Sequence, residues 1–115
     1  MAIEIYGIKN CDTMKKARAW LDAAGIEYRL HDYKVEGADP DRLKQWAGVV
    51  GWEKLLNRAG TTFRKLPEDD RAVADADGAI ALMVAHPSLI KRPVVEYDGG
   101  VLVGFSGDKW DEMLR

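Results

Sequence analysis

Cys11 is the one cysteine among 115 residues, so any chemistry it performs proceeds without a second thiol on the same chain. No intramolecular disulfide, no Cys-x-x-Cys pair and no multi-cysteine zinc cluster can form. The thiol stands in the run Lys9-Asn10-Cys11-Asp12-Thr13-Met14-Lys15, between an expected strand and an expected helix. There the sulfur meets the unpaired N–H groups of a helix N-terminus, a place that favours an anion. Such a position, with nearby cations, lowers a cysteine pKa from about 8.5 to between roughly 3.5 and 7.5, which makes a nucleophilic thiolate available at neutral pH. Lys9 and Lys15 are the cations near in sequence, and Asn10 and Thr13 supply short polar side chains that can hydrogen-bond the sulfur or a bound oxyanion. A lone cysteine often fills a core as a small apolar residue; the strand-to-helix junction is what marks Cys11 as reactive.

A single reactive thiol that attacks an oxidised substrate ends as a mixed disulfide, which an external thiol must resolve. Glutathione is the natural candidate. Arg92-Pro93 precedes an expected strand, where a cis proline would leave backbone groups open to an extended peptide, although a trans proline that merely starts a strand is commoner. Arg58, Arg64, Lys65, Lys91 and Arg92 fall on loops or element ends, and arginine forks bind carboxylates and oxyanions bidentately. Any one of them taken alone is more often a solvated surface charge. His31 and His86 lack partners at metal-binding spacing and are read as structural or surface residues. No metal is expected. Trp20, Trp46, Trp52 and Trp110 fall mostly on apolar stripes and read as core. No phosphate-binding glycine loop, serine elbow or paired-carboxylate motif occurs.

The elements that position Cys11 are legible from periodicity. Residues 2 to 6 alternate and end at Gly7, predicting a strand. From Thr13, an amphipathic helix carries Met14, Ala17, Leu21 and Ala24 on one face and stops at Gly25. Ile26 to Tyr33 alternates again, predicting a second strand that a right-handed crossover makes parallel to the first. Asp39-Pro40 opens a helix with Leu43, Trp46, Ala47 and Val50 inward and Gly51 at its end. Trp52 to Leu56 adds a turn, 57 to 67 reads as a loop, and Ala76, Ile80, Met83 and Val84 form a helical stripe that Pro87 terminates. Val94 to Tyr97 and Val101 to Val103 flank Asp98-Gly99-Gly100 as a hairpin. Ser106 or Asp108 caps a last helix with Trp110, Met113 and Leu114 inward. The order predicts an α/β, thioredoxin-like fold with a mixed sheet and a helical insertion over about 34–90, between the second and third strands. One domain over 1–115 is expected, without internal repeats.

Composition narrows the classes further. Seventeen Lys and Arg against nineteen Asp and Glu leave a net charge of -2, without the basic excess of a nucleic-acid-coating protein. No apolar run approaches the roughly 20 residues that cross a bilayer, and no export signal is visible at the start. A cytoplasmic chain is expected, fitting a lone thiol in a reducing compartment.

Three separated stretches carry a resemblance. Tyr6-Gly7-Ile8-Lys9-Asn10-Cys11-Asp12-Thr13-Met14-Lys15-Lys16-Ala17, then Leu55-Leu56-Asn57-Arg58-Ala59-Gly60-Thr61-Thr62-Phe63-Arg64-Lys65-Leu66, then Pro87-Ser88-Leu89-Ile90-Lys91-Arg92-Pro93-Val94 with Val103-Gly104-Phe105 together resemble the arsenate-reductase-like (ArsC/Spx) superfamily, and within it the YffB group. The resemblance implies a thioredoxin-like core with a helical insertion, Cys11 as nucleophile and Pro93 as the cis-proline position. It further implies a glutathione-dependent thiol reductase, with Lys9, Asn10, Thr13, Arg58, Arg64, Arg92 and Pro93 around substrate or glutathione. Glutathione then serves as co-substrate rather than bound cofactor. Glutaredoxin is a further expected partner, the substrate is a small-molecule or protein thiol, and the protein acts as a monomer.

Two alternatives stay open. A glutathione- and glutaredoxin-linked arsenate reductase would hold its oxyanion with three arginines. Arg92 matches one, but Asn57 occupies the Leu-Leu-Arg position, with Arg58 one place later, and Val103-Gly104 offers no cation. Losing one or two charge-assisted contacts, at about 1.5–3 kcal/mol each, weakens such binding by one to several orders of magnitude. A non-catalytic binding module of the Spx type is the other alternative. Met14 occupies the place of the second cysteine of the Spx switch, which excludes a disulfide-switched regulator and leaves redox-independent partner binding.

Overall fold

In the computed structural model, which describes residues 3–115, the alternation at the start becomes strand β1 (Ile3–Gly7). Ala2, expected as its first residue, lies outside the described residues. A turn leads into α1 (Asp12–Ala24), which buries Met14, Ala17 and Leu21 as the stripe predicts. Gly25 ends it in the left-handed region, at φ 69°, donating its N–H to Asp22 while the Ile26 N–H reaches Leu21. That capping motif takes Ile26 out of the strand expected to begin there, and β2 runs only Tyr28–Asp32. It ends early because Asp32 Oδ1 accepts the Lys34 N–H and opens the single turn α2 (Tyr33–Glu36).

Five more helices follow in the expected insertion, and two of them are short turns that the sequence does not announce. α3 (Pro40–Val50) has Asp39 as cap, its carboxylate accepting the Asp41 N–H at 3.0 Å, and buries Leu43 and Trp46. α4 is Trp52–Leu55. The stretch expected as an unbroken loop contains a helical turn, α5 (Thr61–Arg64). β-branched Thr61 and Thr62 hide it from propensity, whereas burial of Phe63 stabilises it. α6 (Glu68–Arg71) is a further single turn, and α7 (Ala76–Ala85) ends before a 3₁₀ turn at Pro87–Leu89. The hairpin is β3 (Val94–Tyr97) and β4 (Gly100–Val103), and α8 (Gly107–Leu114) is capped by Ser106, whose Oγ accepts the Lys109 N–H.

The chain divides into two compact units, one formed by the residues up to Val35 with Arg92–Arg115 and the other by Glu36–Lys91. The first holds one four-stranded sheet in the order β2-β1-β3-β4, with β2 parallel to β1 and β3 antiparallel to both β1 and β4. That mixed order, with a helix between β1 and β2, is thioredoxin-like. Ile3, Ile5, Val95 and Leu102 point to one face, where they form a core with Met14, Ala17, Leu21 and Trp110. Met113, expected inward, is 40% exposed. The opposite face carries a polar row instead. Tyr6 donates to Glu96, Glu4 accepts from Arg29 and lies 2.8 Å from His31 Nε2, and the His31 ring stacks on Tyr6. His31 is thereby a structural residue, as expected.

In the second unit α3 packs on α4 and α7, and α7 on the 3₁₀ turn. A bridge between Leu56 and Ile90, with the Asn57 N–H donating to Leu89 O at 2.7 Å and the Lys91 N–H to Leu55 O at 2.8 Å, joins its middle to its end. Trp46 is fully buried, whereas Trp52, like Trp20 in the first unit, is only half-buried.

β1 and α1 approach each other through Gly7. A methyl group there would overlap Met14 Sδ and come within 2.6 Å of its Cε. Met14 is fully buried, so its side chain must repack. Gly7→Ala is expected to cost about 1–2 kcal/mol, read as a lower urea midpoint, and less when Met14→Ala is present, because the two sites share one contact.

Candidate active site

Cys11 is the N-cap of α1, with extended backbone at φ -80° and ψ 137°. Its own N–H donates to Ile8 O at 3.1 Å and its carbonyl accepts the Lys15 N–H at 3.0 Å, so the turn before it and the first turn after it are both closed through Cys11. The sulfur is half-buried against the first unit's core. Burial pushes its pKa up, but the N–H groups of Met14 and Thr13, the charge of Arg92 and the Thr13 side chain together outweigh burial and hold it below the ordinary thiol value. Each of these favours the thiolate; the N–H groups and Thr13 come from the expected junction of strand and helix, and Arg92 from the segment before β3.

The register explains why Arg92 is near. Val94, the first residue of β3, is opposite Tyr6, next to the last residue of β1, so the segment just before β3 comes alongside the Cys11 turn. The Arg92-Pro93 peptide is cis, and Pro93 is buried. The Pro93 carbonyl accepts the Gly104 N–H at 2.8 Å, and the Gly104 carbonyl accepts the indole N–H of Trp110 at 3.2 Å. Gly104 sits at φ 82°, a conformation that side chains disfavour. A chain of hydrogen bonds thus runs from α8 through Gly104 to the proline segment. Periodicity marks Trp110 only as core, and its second role as donor carries no sequence signal. Gly104 is detectable only as a glycine just after a strand.

The first unit therefore brings together Cys11, Lys9, Asn10, Thr13, Arg92 and Pro93. Lys9 and Asn10 are exposed on the turn, and the Lys9 N–H points to Asp32 Oδ2 at the end of β2, at a long 3.4 Å. Arg58 and Arg64 belong to the Glu36–Lys91 unit, where both are exposed. Arg58 has its guanidinium carbon 5.5 Å from the Trp52 ring centroid, a cation–π contact. Asn57, at the place where arsenate reductases carry an arginine, accepts the Ala59 N–H with Oδ1 at 3.2 Å. Its Nδ2 would lie 2.9 Å from a methyl group on Gly60. Asn57 organises its own turn. Among the described residues no three His, Cys, Asp or Glu side chains are grouped to hold a metal ion, and no helix is long and apolar enough to cross a membrane.

Arg92→Gln should raise the pH midpoint of Cys11 alkylation, and Thr13→Val should raise it by a smaller step, because the charge of Arg92 outranks the Thr13 side chain while the backbone donors remain. An unchanged midpoint in Arg92→Gln would remove Arg92 from the site.

The sequence profile of the ArsC family matches residues 6–113. Among solved structures, the YffB protein is 53% identical, with a TM-score of 0.95 and 99% of this chain and 100% of the other covered. An arsenate reductase (ArsC) related protein from Brucella melitensis is 56% identical, with a TM-score of 0.78 and coverage of 100% and 96%. An uncharacterised protein of Haemophilus influenzae is 45% identical over 104 residues, 90% of this chain and 91% of its own length.

Proposed function

The chain belongs to the ArsC family, and on that premise we propose that it is a thiol oxidoreductase in which Cys11 is the single nucleophile and glutathione is the external reductant. The observation that carries this reading is the Cys11 sulfur itself, half-buried at the start of α1 with its pKa held down by the Met14 and Thr13 N–H groups and by Arg92. A thiolate so placed is poised to attack a disulfide sulfur.

The cycle has two exchanges. The Cys11 thiolate attacks the glutathionyl sulfur of a substrate mixed disulfide; a bond between Cys11 Sγ and glutathione forms as the substrate S–S bond breaks, and the substrate leaves as a thiolate that takes a proton from water. A second glutathione thiolate then attacks the glutathionyl sulfur held on Cys11, which releases glutathione disulfide and restores the Cys11 thiolate. The substrate is reduced by two electrons and two glutathionyl sulfurs are joined. No second cysteine is needed, in keeping with Met14 standing buried where a resolving thiol would be. Arg92 and the helix N–H groups hold the negative charge on the sulfur in the resting state, Thr13 adds its side chain, and Asn10 with the exposed Lys9 borders the approach.

Arsenate fits less well. Asn57 spends its side-chain oxygen on its own turn, and position 104 is a glycine in the left-handed region. The test is to incubate the protein with a glutathionylated peptide and identify the products by mass spectrometry. A Cys11–glutathione adduct that free glutathione discharges is the expected result. Peptide reduction without any adduct, or turnover that requires arsenate, would overturn the reading.

A further inference from the structure

The Glu36–Lys91 unit carries an open groove of about 600 Å³ that the chemistry at Cys11 leaves unused. Its floor is a face of α7, where Ala81, Leu82 and Ala85 line it together with Val73 from the preceding segment. Asp69 and Asp70, in α6, and Asp75, the α7 cap, also line it. The helix is unusual for an element at the surface. From Gly78 to Ala85 it has no charged or polar side chain; Ala79, Ile80 and Met83 are buried, while Ala81, Val84 and Ala85 remain exposed. An isolated surface helix keeps its outer face polar, and an apolar face left in water beside a groove marks a contact surface.

The charges decide what fits. Three aspartates line the groove and His86 is the only basic side chain that does; Arg71 does not line it. An acidic partner would face like charge, and a wholly apolar one would leave the aspartates to be desolvated without a counter-charge. We propose that this groove docks a short basic amphipathic segment of another protein, with small aliphatic side chains on Ala81, Leu82 and Ala85 and lysine or arginine side chains facing Asp69, Asp70 and Asp75. The proposal does not depend on the thiol chemistry, and Cys11→Ser leaves it intact.

The test is a ¹⁵N amide titration of the full chain at low salt with a synthetic peptide that has leucine at every third or fourth position and lysine elsewhere. Its counterpart with glutamate for every lysine is the control. The expected result is shifts confined to residues 69–86, an affinity about tenfold weaker in Ala81→Arg, and a similar loss in the Asp69→Asn, Asp70→Asn double variant and at high salt. Ala81 is exposed and arginine is a good helix former, so that variant keeps α7. Asp41→Asn, an acid elsewhere on the same unit, changes nothing. Shifts scattered over other acidic positions, equal binding of the glutamate peptide, or indifference to Ala81→Arg would overturn the proposal. The same amides shifting with protein concentration alone would overturn it as well, by making a second copy of the chain the occupant.

Discussion

Replacing Cys11 with serine is expected to lower the glutathione-coupled reduction of a mixed disulfide by at least about a thousandfold, because the step lost is the covalent one and no other thiol on the chain can take it over. Serine nearly keeps the size of the side chain and is a favourable residue at the same N-cap position, so the fold is expected to survive. A hydroxyl, however, is not ionised in the pH range where the thiolate works. The measurement is NADPH consumption with glutathione reductase as the coupling enzyme. Activity within about tenfold of the natural protein would mean that Cys11 is not the nucleophile. The same substitution has a signature in stability. The Cys11 pKa is lowered in the folded state, so its stabilising effect is complete above the unfolded thiol value and is lost as pH falls through the lowered one. Stability of the natural protein should rise with pH across that window relative to Cys11→Ser.

The second large effect is expected at Trp110. Its side chain is 1% exposed, meets Trp20 and Phe105 edge-on at centroid distances of 5.6 and 4.9 Å, and donates to the Gly104 carbonyl. Trp110→Ala removes all of this and is expected to cost about 3–5 kcal/mol, measured by urea unfolding. Trp110→Phe keeps most of the packing but leaves the Gly104 carbonyl without its donor, and is expected to cost about 1–3 kcal/mol. A loss below about 1 kcal/mol in Trp110→Ala would contradict a core centred on this residue.

The strand-helix-strand opening was legible because its signals are local. Met14, Ala17 and Leu21 repeat at helical spacing, Gly25 ends the helix, and Cys11 stands just before it. The hairpin around Asp98 and Gly99 and the Ser106 cap are local in the same sense. The short turns were not legible. Thr61–Arg64 and Glu68–Arg71 are each four residues long, too short for a period to declare itself; burial of Phe63 decides the first, while the second buries nothing and is closed by the Asp70 and Arg71 N–H groups donating to the Pro67 carbonyl. The support of the site was hidden for another reason. Pro93, Gly104 and Trp110 are joined by backbone and indole hydrogen bonds between residues that share no pattern. Likewise Gly7 reads as a turn glycine, while its want of a side chain is what admits Met14. Arg92 could be named from its place before Pro93, but its effect on the sulfur follows from the pairing of Tyr6 with Val94.

Whether Cys11 is a thiolate poised for exchange with glutathione is read from the rate of its alkylation by iodoacetamide as a function of pH, measured before and after incubation with glutathione disulfide. A single titration with a midpoint below that of an ordinary thiol is expected, raised in Arg92→Gln, together with loss of the alkylation site after glutathione disulfide treatment and its recovery on reduction. A midpoint at the ordinary thiol value, or a thiol that glutathione disulfide leaves unmodified, would contradict it.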